Sequence, residues 1–285
     1  MAYIIDGKKI STEMKDELKE KVAAMKQDGV EITLAVIQVG NDPASTVYVG
    51  NKKKACEYIG IQSLAYELPE ETTEKELLDL VEELNQRADV NGILVQLPLP
   101  KHIDENKVIN TISAKKDVDG FHPLNVASLW QKQPCLLPCT PQGIIMMLEE
   151  AGVEIEGKKA VVIGRSNIVG LPASKLLLDH NATVTMAHSH TKNLAEVTRQ
   201  ADILVVAIGK PKFVTAEMVK PGAAVMDVGV NRNPETGKLC GDVDFDNVKD
   251  VASVITPVPG GLGPMTRACL MVNTLECFLR KMNKA

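Results

Sequence analysis

Two spacings of apolar residues alternate along the chain. Short apolar runs at 3–5, 32–39, 62–68, 92–96, 160–163, 182–186, 203–208, 223–228 and 252–255 read as strands. Most are apolar enough to be buried on both faces. Between them the spacing turns helical. Ile10, Met14, Leu18, Val22 and Met25 step by three or four, which predicts a helix over 8–27, and Gly29 fits its stop. Leu77, Leu80, Val81 and Leu84 predict another over 74–88. Further helices are expected at 44–59, 105–112, 140–150, 194–199 and 265–281. Thr140-Pro141 reads as an N-cap followed by proline at the first helical position. Strands alternating with helices of this length predict an α/β fold with mostly parallel sheets.

The alternation breaks in the middle. Residues 115–123 form a polar loop, Pro134 and Pro138 punctuate a connector, and a domain boundary is expected in this region. The second alternation opens on residues 159–178. Ala160 to Ile163 is a strand, Gly164 ends it, and a helix carries Ile168, Leu171, Leu176 and Leu178. Such a turn aims backbone N–H groups and a helix dipole at an anion above the sheet, which favours phosphate. In G-x-G-x-x-G register the three positions are Gly164, Ser166 and Val169, and Gly170 comes one residue late. Strand-glycine-helix units also occur without a ligand, so this stretch alone leaves dinucleotide binding open. Residues 233–237, Asn-Pro-Glu-Thr-Gly, predict a hairpin or excursion. The final helix is long for a cap on the second sheet and is expected to pack on the first domain.

Composition narrows the class. A length of 285 residues allows one large or two modest domains. Aromatic residues are 3%, so the core must be aliphatic. A net charge of −5 without a basic block argues against nucleic acid. The N-terminus lacks a signal-peptide pattern, and no apolar run reaches membrane-spanning length. A cytoplasmic protein is expected. Cysteines 56, 135, 139, 240, 269 and 277 form no C-x-x-C pair and have no histidine cluster beside them. Buried thiols, rather than a metal site, are the expectation.

Several residues carry candidate chemistry. The strand at 182–186 leads into His188-Ser-His-Thr-Lys192, without the carboxylate that would take an NAD ribose. Arg165 and Ser189 would instead welcome a 2′-phosphate, so the pattern favours NADP. His188 and His190 read as loop residues. Tyr48 and Lys52 are four apart and share a helix face, followed by Lys53 and Lys54. This is either a solvated basic face or a site where neighbouring cations and partial burial lower the pKa of Lys52 for proton exchange. Gln96 ends a strand before a Pro-Leu-Pro break, where it either caps the turn or orients Lys52 or a substrate. Asp117 and Asp119 are either turn aspartates or a carboxylate for the guanidine-like edge of a heterocycle. Pro259, Gly260, Gly261, Leu262 and Gly263 either form a mobile linker or let the backbone approach a flat ligand.

The segments Tyr48-Val-Gly-Asn-Lys52, Val95-Gln-Leu-Pro-Leu99, Lys116-Asp-Val-Asp-Gly-Phe121, Pro138-Cys-Thr-Pro-Gln-Gly143, Val162-Ile-Gly-Arg-Ser-Asn-Ile-Val-Gly170, Asp227-Val-Gly-Val-Asn231 and Thr256-Pro-Val-Pro-Gly-Gly-Leu-Gly-Pro264 occur in one order over nearly the full length. Together they resemble the bifunctional methylenetetrahydrofolate dehydrogenase/cyclohydrolase family. The resemblance implies a catalytic folate domain of residues 1–120 plus 265–285, a Rossmann-like NADP domain of residues 121–264, and a cleft between them. It implies NADP-dependent oxidation of 5,10-methylenetetrahydrofolate, then hydrolysis of the methenyl product to 10-formyltetrahydrofolate. By that resemblance Lys52 moves the protons of hydrolysis, Gln96 tunes it, Tyr48 orients the folate and Asp119 binds the pterin edge. Val95, Leu97 and the loop from Pro259 to Gly263 line the folate site. Gly164, Arg165, Ser166, Ser189 and Val230 contact NADP. Family members of this kind are homodimers through the NADP domain. Two other readings are another two-domain NADP dehydrogenase, for example one acting on an amino acid or a shikimate-like substrate, and a nucleotide-sensing or scaffold protein that kept the fold and lost catalysis.

Overall fold

A computed structural model describes residues 1–233 and 236–282. Pro234 and Glu235 of the expected 233–237 turn lie outside the described residues, as do Asn283, Lys284 and Ala285. The chain begins with β1 (Tyr3–Ile4), α1 (Gly7–Gln27), β2 (Thr33–Val39), α2 (Pro43–Ile59), β3 (Gln62–Leu68), α3 (Glu74–Gln86) and β4 (Gly92–Val95). Three helices follow, α4 (Glu105–Thr111), α5 (Pro123–Trp130) and α6 (Cys139–Glu150). Then come β5 (Lys159–Ile163), α7 (Gly170–Asp179), β6 (Thr183–Ala187), α8 (Leu194–Thr198), β7 (Ile203–Val206) and β8 (Ala224–Asp227). A two-stranded excursion, β9 (Asn231–Arg232) with β10 (Leu239–Cys240), precedes α9 (Phe245–Val248), β11 (Val254–Ile255) and α10 (Leu262–Met282). The chain divides into two compact units.

The first unit comprises Thr12–Leu137 and the chain from Arg267 onward. Its parallel sheet has the order β3-β2-β4. All seven residues of the central strand β2 are buried. This is why its sequence is an apolar run without alternation. Helix α3 starts on a capping box between Thr73 and Glu76 and buries Leu77, Val81 and Leu84 against Ile93 and Val95 of β4. Helix α2 starts at Pro43, where the Asp42 carboxylate accepts from Ser45 N at 2.7 Å. Cys56 on α2 touches Met271 on α10, sulfur to sulfur at 3.6 Å.

The second unit comprises Met1–Ser11 and Pro138–Thr266. Its six strands run in the order β1-β11-β8-β7-β5-β6, and all pair in parallel. Three sequence expectations change in detail. Helix α5 occupies a stretch read as loop and connector; the His122 side chain caps it, accepting from Leu124 N, and Pro123 opens it. Helix α6 starts at Cys139 rather than Pro141. Thr140 does not cap it, because its hydroxyl is shared with that of Thr266 at 2.9 Å. Helix α7 starts at Gly170, so Ile168 belongs to the turn before it.

Two buried carboxylates brace the strand ends of the second unit. Asp227 accepts from the backbone N–H groups of Gly229, Asp242 and Val243, at 3.0, 2.9 and 3.0 Å. Asp242 accepts from Ile208, Gly209 and Lys210 N and from Asn231 Nδ2. These bonds tie the loops after β7 and β8 to the segment after β10. Burial pushes the Asp227 carboxyl up to about 7, against the N–H groups that favour its charged form. Gly241 lies directly against the Asp227 carboxylate and has no room for a Cβ. Gly241→Ala should therefore destabilise the protein by about 2–4 kcal/mol, read as a lower urea midpoint at an unchanged slope.

Candidate active site

In the first unit, Lys52 and Gln96 meet at the C-terminal ends of the strands. Strand β4 ends at Val95, which is buried, and Gln96 N still donates to Ile37 O of β2 at 2.8 Å. That bond carries the sheet register one residue further and fixes where Gln96 starts. The Gln96 amide nitrogen donates to Leu97 O, so its oxygen is the end left for Lys52. Lys52 Nζ donates to Gln96 Oε1 at 2.9 Å. Lys52 is half-buried, whereas Lys53 and Lys54 are exposed. Tyr48, also half-buried, sits one turn before Lys52 on the same face of α2.

The two loop aspartates separate into different roles. Asp117 is buried and its carboxylate accepts from Gly120 N at 3.1 Å, His122 N at 2.8 Å and Asn125 Nδ2 at 2.9 Å. It is the turn aspartate, and it holds the loop shut. The loop lies against β4, where Ile93 N donates to Lys116 O at 2.7 Å. Asn273 on α10 pins it from the other side, donating to Val118 O at 2.7 Å and Leu137 O at 2.8 Å. Nothing in the pattern of α10 singled out Asn273 beforehand; its signal was only a polar residue at a core position. Asp119, half-buried, stands between these anchors. Burial pushes its carboxyl up to about 6; Lys52 pulls it down and Asp117 pushes it further up.

In the second unit, the expected cofactor residues gather at the C-terminal ends of parallel strands, where open sheets bind ligands. Gly164 has φ +121° and faces Ala207 O, with no space for a Cβ. Gly170 opens α7 hard against the carbonyl of Gly164, which explains the late glycine. The Ser166 hydroxyl oxygen accepts from Val169 N at 3.2 Å and Gly170 N at 3.3 Å. The first helix amides are therefore satisfied by the protein itself, and the expected amide cradle becomes an exposed serine hydroxyl. Gly164 N donates to Ala187 O at 2.9 Å, so Arg165 and Ser189 leave neighbouring strands β5 and β6 at one level. Both are exposed, and among the described residues no carboxylate pairs with Arg165. His188 accepts from His190 N through Nδ1, which shapes the loop that presents Ser189. Val230 is 47% exposed beyond β8. The loop after β11 is packed rather than a free linker: Gly261 and Leu262 are buried, and Gly261 O lies against Gly7. Pro259, Gly260 and Gly263 keep partial or full exposure. Among the described residues no group of three or more His, Cys, Asp or Glu could hold a metal ion, and no helix is long and apolar enough to cross a membrane.

Comparison with known proteins decides the family. Residues 5–119 match the tetrahydrofolate dehydrogenase/cyclohydrolase catalytic domain, and residues 138–282 match the NAD(P)-binding domain of the same family. The chain belongs to the tetrahydrofolate dehydrogenase/cyclohydrolase family. Within that family it is 68% identical to the bifunctional protein FolD of Lachnoclostridium phytofermentans, over 96% of both chains. It is similar in structure to the bifunctional FolD of Campylobacter jejuni, with a TM-score of 0.96, 49% identity, and coverage of 99% of this chain and 100% of that one. The Trypanosoma brucei FolD, solved with NADP and an inhibitor, has a TM-score of 0.95 and 40% identity, covering 99% and 98% of the two chains. The tetrahydrofolate dehydrogenase/cyclohydrolase assignment thus spans both units.

The raised pKa of Asp119 makes a stability prediction. Its folded value of about 6 lies above the ordinary 3.8, so the folded state holds a proton that the unfolded chain has released. Stability should fall as pH rises from about 4 to about 6, and the penalty should be full above that window. Asp119→Asn should then raise stability at neutral pH by about 2–3 kcal/mol, with the gain vanishing near pH 4, in urea melts across pH.

Proposed function

We propose that Lys52, seated on Gln96 and within electrostatic reach of Asp119, carries the proton traffic of hydrolysis in this enzyme. The chain is a bifunctional enzyme: it oxidises 5,10-methylenetetrahydrofolate with NADP and hydrolyses the 5,10-methenyl product to 10-formyltetrahydrofolate. The Lys52–Gln96 bond of 2.9 Å is the observation that supports the assignment. It holds the nitrogen of Lys52 at the C-terminal ends of the strands.

The two reactions ask different things of the side chains. The reacting carbon lies between two nitrogens, and the cation left by hydride loss is stabilised by both. No protein base is needed there, and the residues contribute positioning. Hydrolysis needs a proton taken from water and another delivered to the leaving nitrogen. Lys52 is the group for both transfers, and Gln96 Oε1 sets the direction of its N–H bonds. Asp119 takes the guanidine-like pterin edge as a carboxylate, which it is at neutral pH given a pKa of about 6. Tyr48, with Val95 and Leu97, orients the folate.

NADP, when bound, supplies the hydride acceptor. Gly164, Arg165, Ser166, Ser189 and Val230 hold it. The Ser166 oxygen already accepts from two helix amides, so its proton is free to point at a phosphate. Arg165 and Ser189 read the 2′-phosphate. The protein is proposed to be cytoplasmic and a homodimer through this unit, without nucleic acid or membrane as a partner.

One assay tests the whole reading: protein, 5,10-methylenetetrahydrofolate and NADP, followed for NADPH and for methenyl absorbance. NADPH with 10-formyl product and little methenyl build-up is expected. No turnover would favour the nucleotide-sensing alternative. Lys52→Met should cut hydrolysis of the methenyl compound by at least about 100-fold, and unchanged hydrolysis by the folded variant refutes the role. Arg165→Ala should weaken NADP by about tenfold or more while leaving NAD nearly alone. Equal losses for the two dinucleotides would remove Arg165 from 2′-phosphate recognition.

A further inference from the structure

Arg267 is the first residue of the segment of α10 that belongs to the first unit. It is half-buried, and among the described residues no carboxylate pairs with it. Burial draws its guanidinium below the ordinary pKa, and only the Tyr48 hydroxyl works the other way. A partly buried cation without a counter-ion is costly to keep. Lys15 on α1 adds to the cost, because burial and then Arg267 itself draw the Lys15 pKa down. The acid next to Lys15, Asp16, is bonded to the Tyr58 hydroxyl. Lys15 and Lys19 lie over the Tyr58 ring, 5.5 and 4.8 Å from its centre. The result is a cationic patch in which the nearby acid, Asp16, serves Lys15 and Tyr58, and among the described residues no carboxylate pairs with Arg267.

The helix register puts this patch beside the site already described. Met271 of α10 touches Cys56 of α2 at 3.6 Å. Arg267 lies one turn before Met271, and Lys52 and Tyr48 lie one and two turns before Cys56. Lys281 donates to Ala88 O and Thr274 lies against Gly92 at the start of β4, so α10 runs opposite to β4 and Arg267 stands toward the strand's C-terminal end, within electrostatic reach of Tyr48. A folate is a pterin joined through an aromatic ring to glutamate, with its negative charge at the glutamate end. With the pterin at Asp119 and the ring at Tyr48, that charge needs a cation further along.

We propose that Arg267, supported by Lys15, binds the glutamate carboxylates of the folate tail. The planar fork of arginine suits a carboxylate with two hydrogen bonds, and the patch suits the further negative charges of a polyglutamate tail. The proposal rests on the folate reading of Tyr48, Lys52 and Asp119.

The test pairs two ligands with two variants. Dissociation constants are measured for folic acid and for pteroic acid, which lacks the glutamate, with wild type, Arg267→Leu and Arg267→Lys. KM is measured in parallel for the corresponding methylene-tetrahydro substrates. Arg267→Leu should weaken the glutamate-bearing ligand by about tenfold, the loss of one charge-assisted pair, and the pteroate ligand far less. Its kcat with the glutamate-bearing substrate should change little, and Arg267→Lys should recover part of the affinity. A matching urea midpoint shows that the variants fold. Equal losses on both ligands overturn the proposal and leave the folate reading standing. Wild type that binds neither ligand overturns both.

Discussion

The hydrogen bond from Lys52 Nζ to Gln96 Oε1, at 2.9 Å, is the contact on which the chemistry proposed for the first unit depends. It joins residues from two separate strand–helix steps, and each has to be placed independently. Gln96 is placed by the sheet, because its N–H extends the pairing of β4 with β2. Lys52 is placed by α2, whose start is fixed by Asp42 and Pro43 and whose far end rests on Met271. A register slip of one residue in β4 would turn Gln96 to the other face of the sheet. The polar contact thus uses the rigidity of an apolar core that the sequence makes almost entirely from aliphatic residues.

Buried carboxylates do a second kind of work in both units. Asp117, Asp227 and Asp242 each accept from several backbone N–H groups and close loops at strand ends. A carboxylate offers several acceptor positions, and a loop that leaves a parallel strand has unpaired donors to fill them. Asp119 differs because burial outweighs the pull of Lys52 and leaves its pKa raised, which supports the ligand role proposed for it.

The strand–helix alternation was readable from apolar spacing, since buried parallel strands and amphipathic helices leave different periods. The pair Tyr48 and Lys52 was readable as one helix face. That Gln96 orients Lys52 was readable only as one alternative beside a turn cap or a substrate contact, because spacing along a chain says nothing of which strand lies beside which helix. By residue type Asp117 and Asp119 looked equivalent; the family resemblance singled out Asp119, and the donors show Asp117 to be the turn aspartate. The N-cap signal misled in a useful way. Thr140-Pro141 and His122-Pro123 carry a similar pattern, yet His122 caps its helix and Thr140 bonds to Thr266 instead. A capping side chain obeys local geometry only when no stronger tertiary partner competes for it. Strand β1 is two residues long and pairs with β11 from the far end of the chain, a contact that no local pattern encodes.

The phosphate role proposed for Ser166 has a consequence for how the ligand arrives. Its oxygen already holds the Val169 and Gly170 amides, so the turn is ordered before any phosphate comes near. Binding then requires a hydroxyl proton to swing, with no backbone to reorganise. Little chain entropy would then be lost on association. On the role proposed for Ser166, the dinucleotide meets a turn already set in its binding conformation at every cycle.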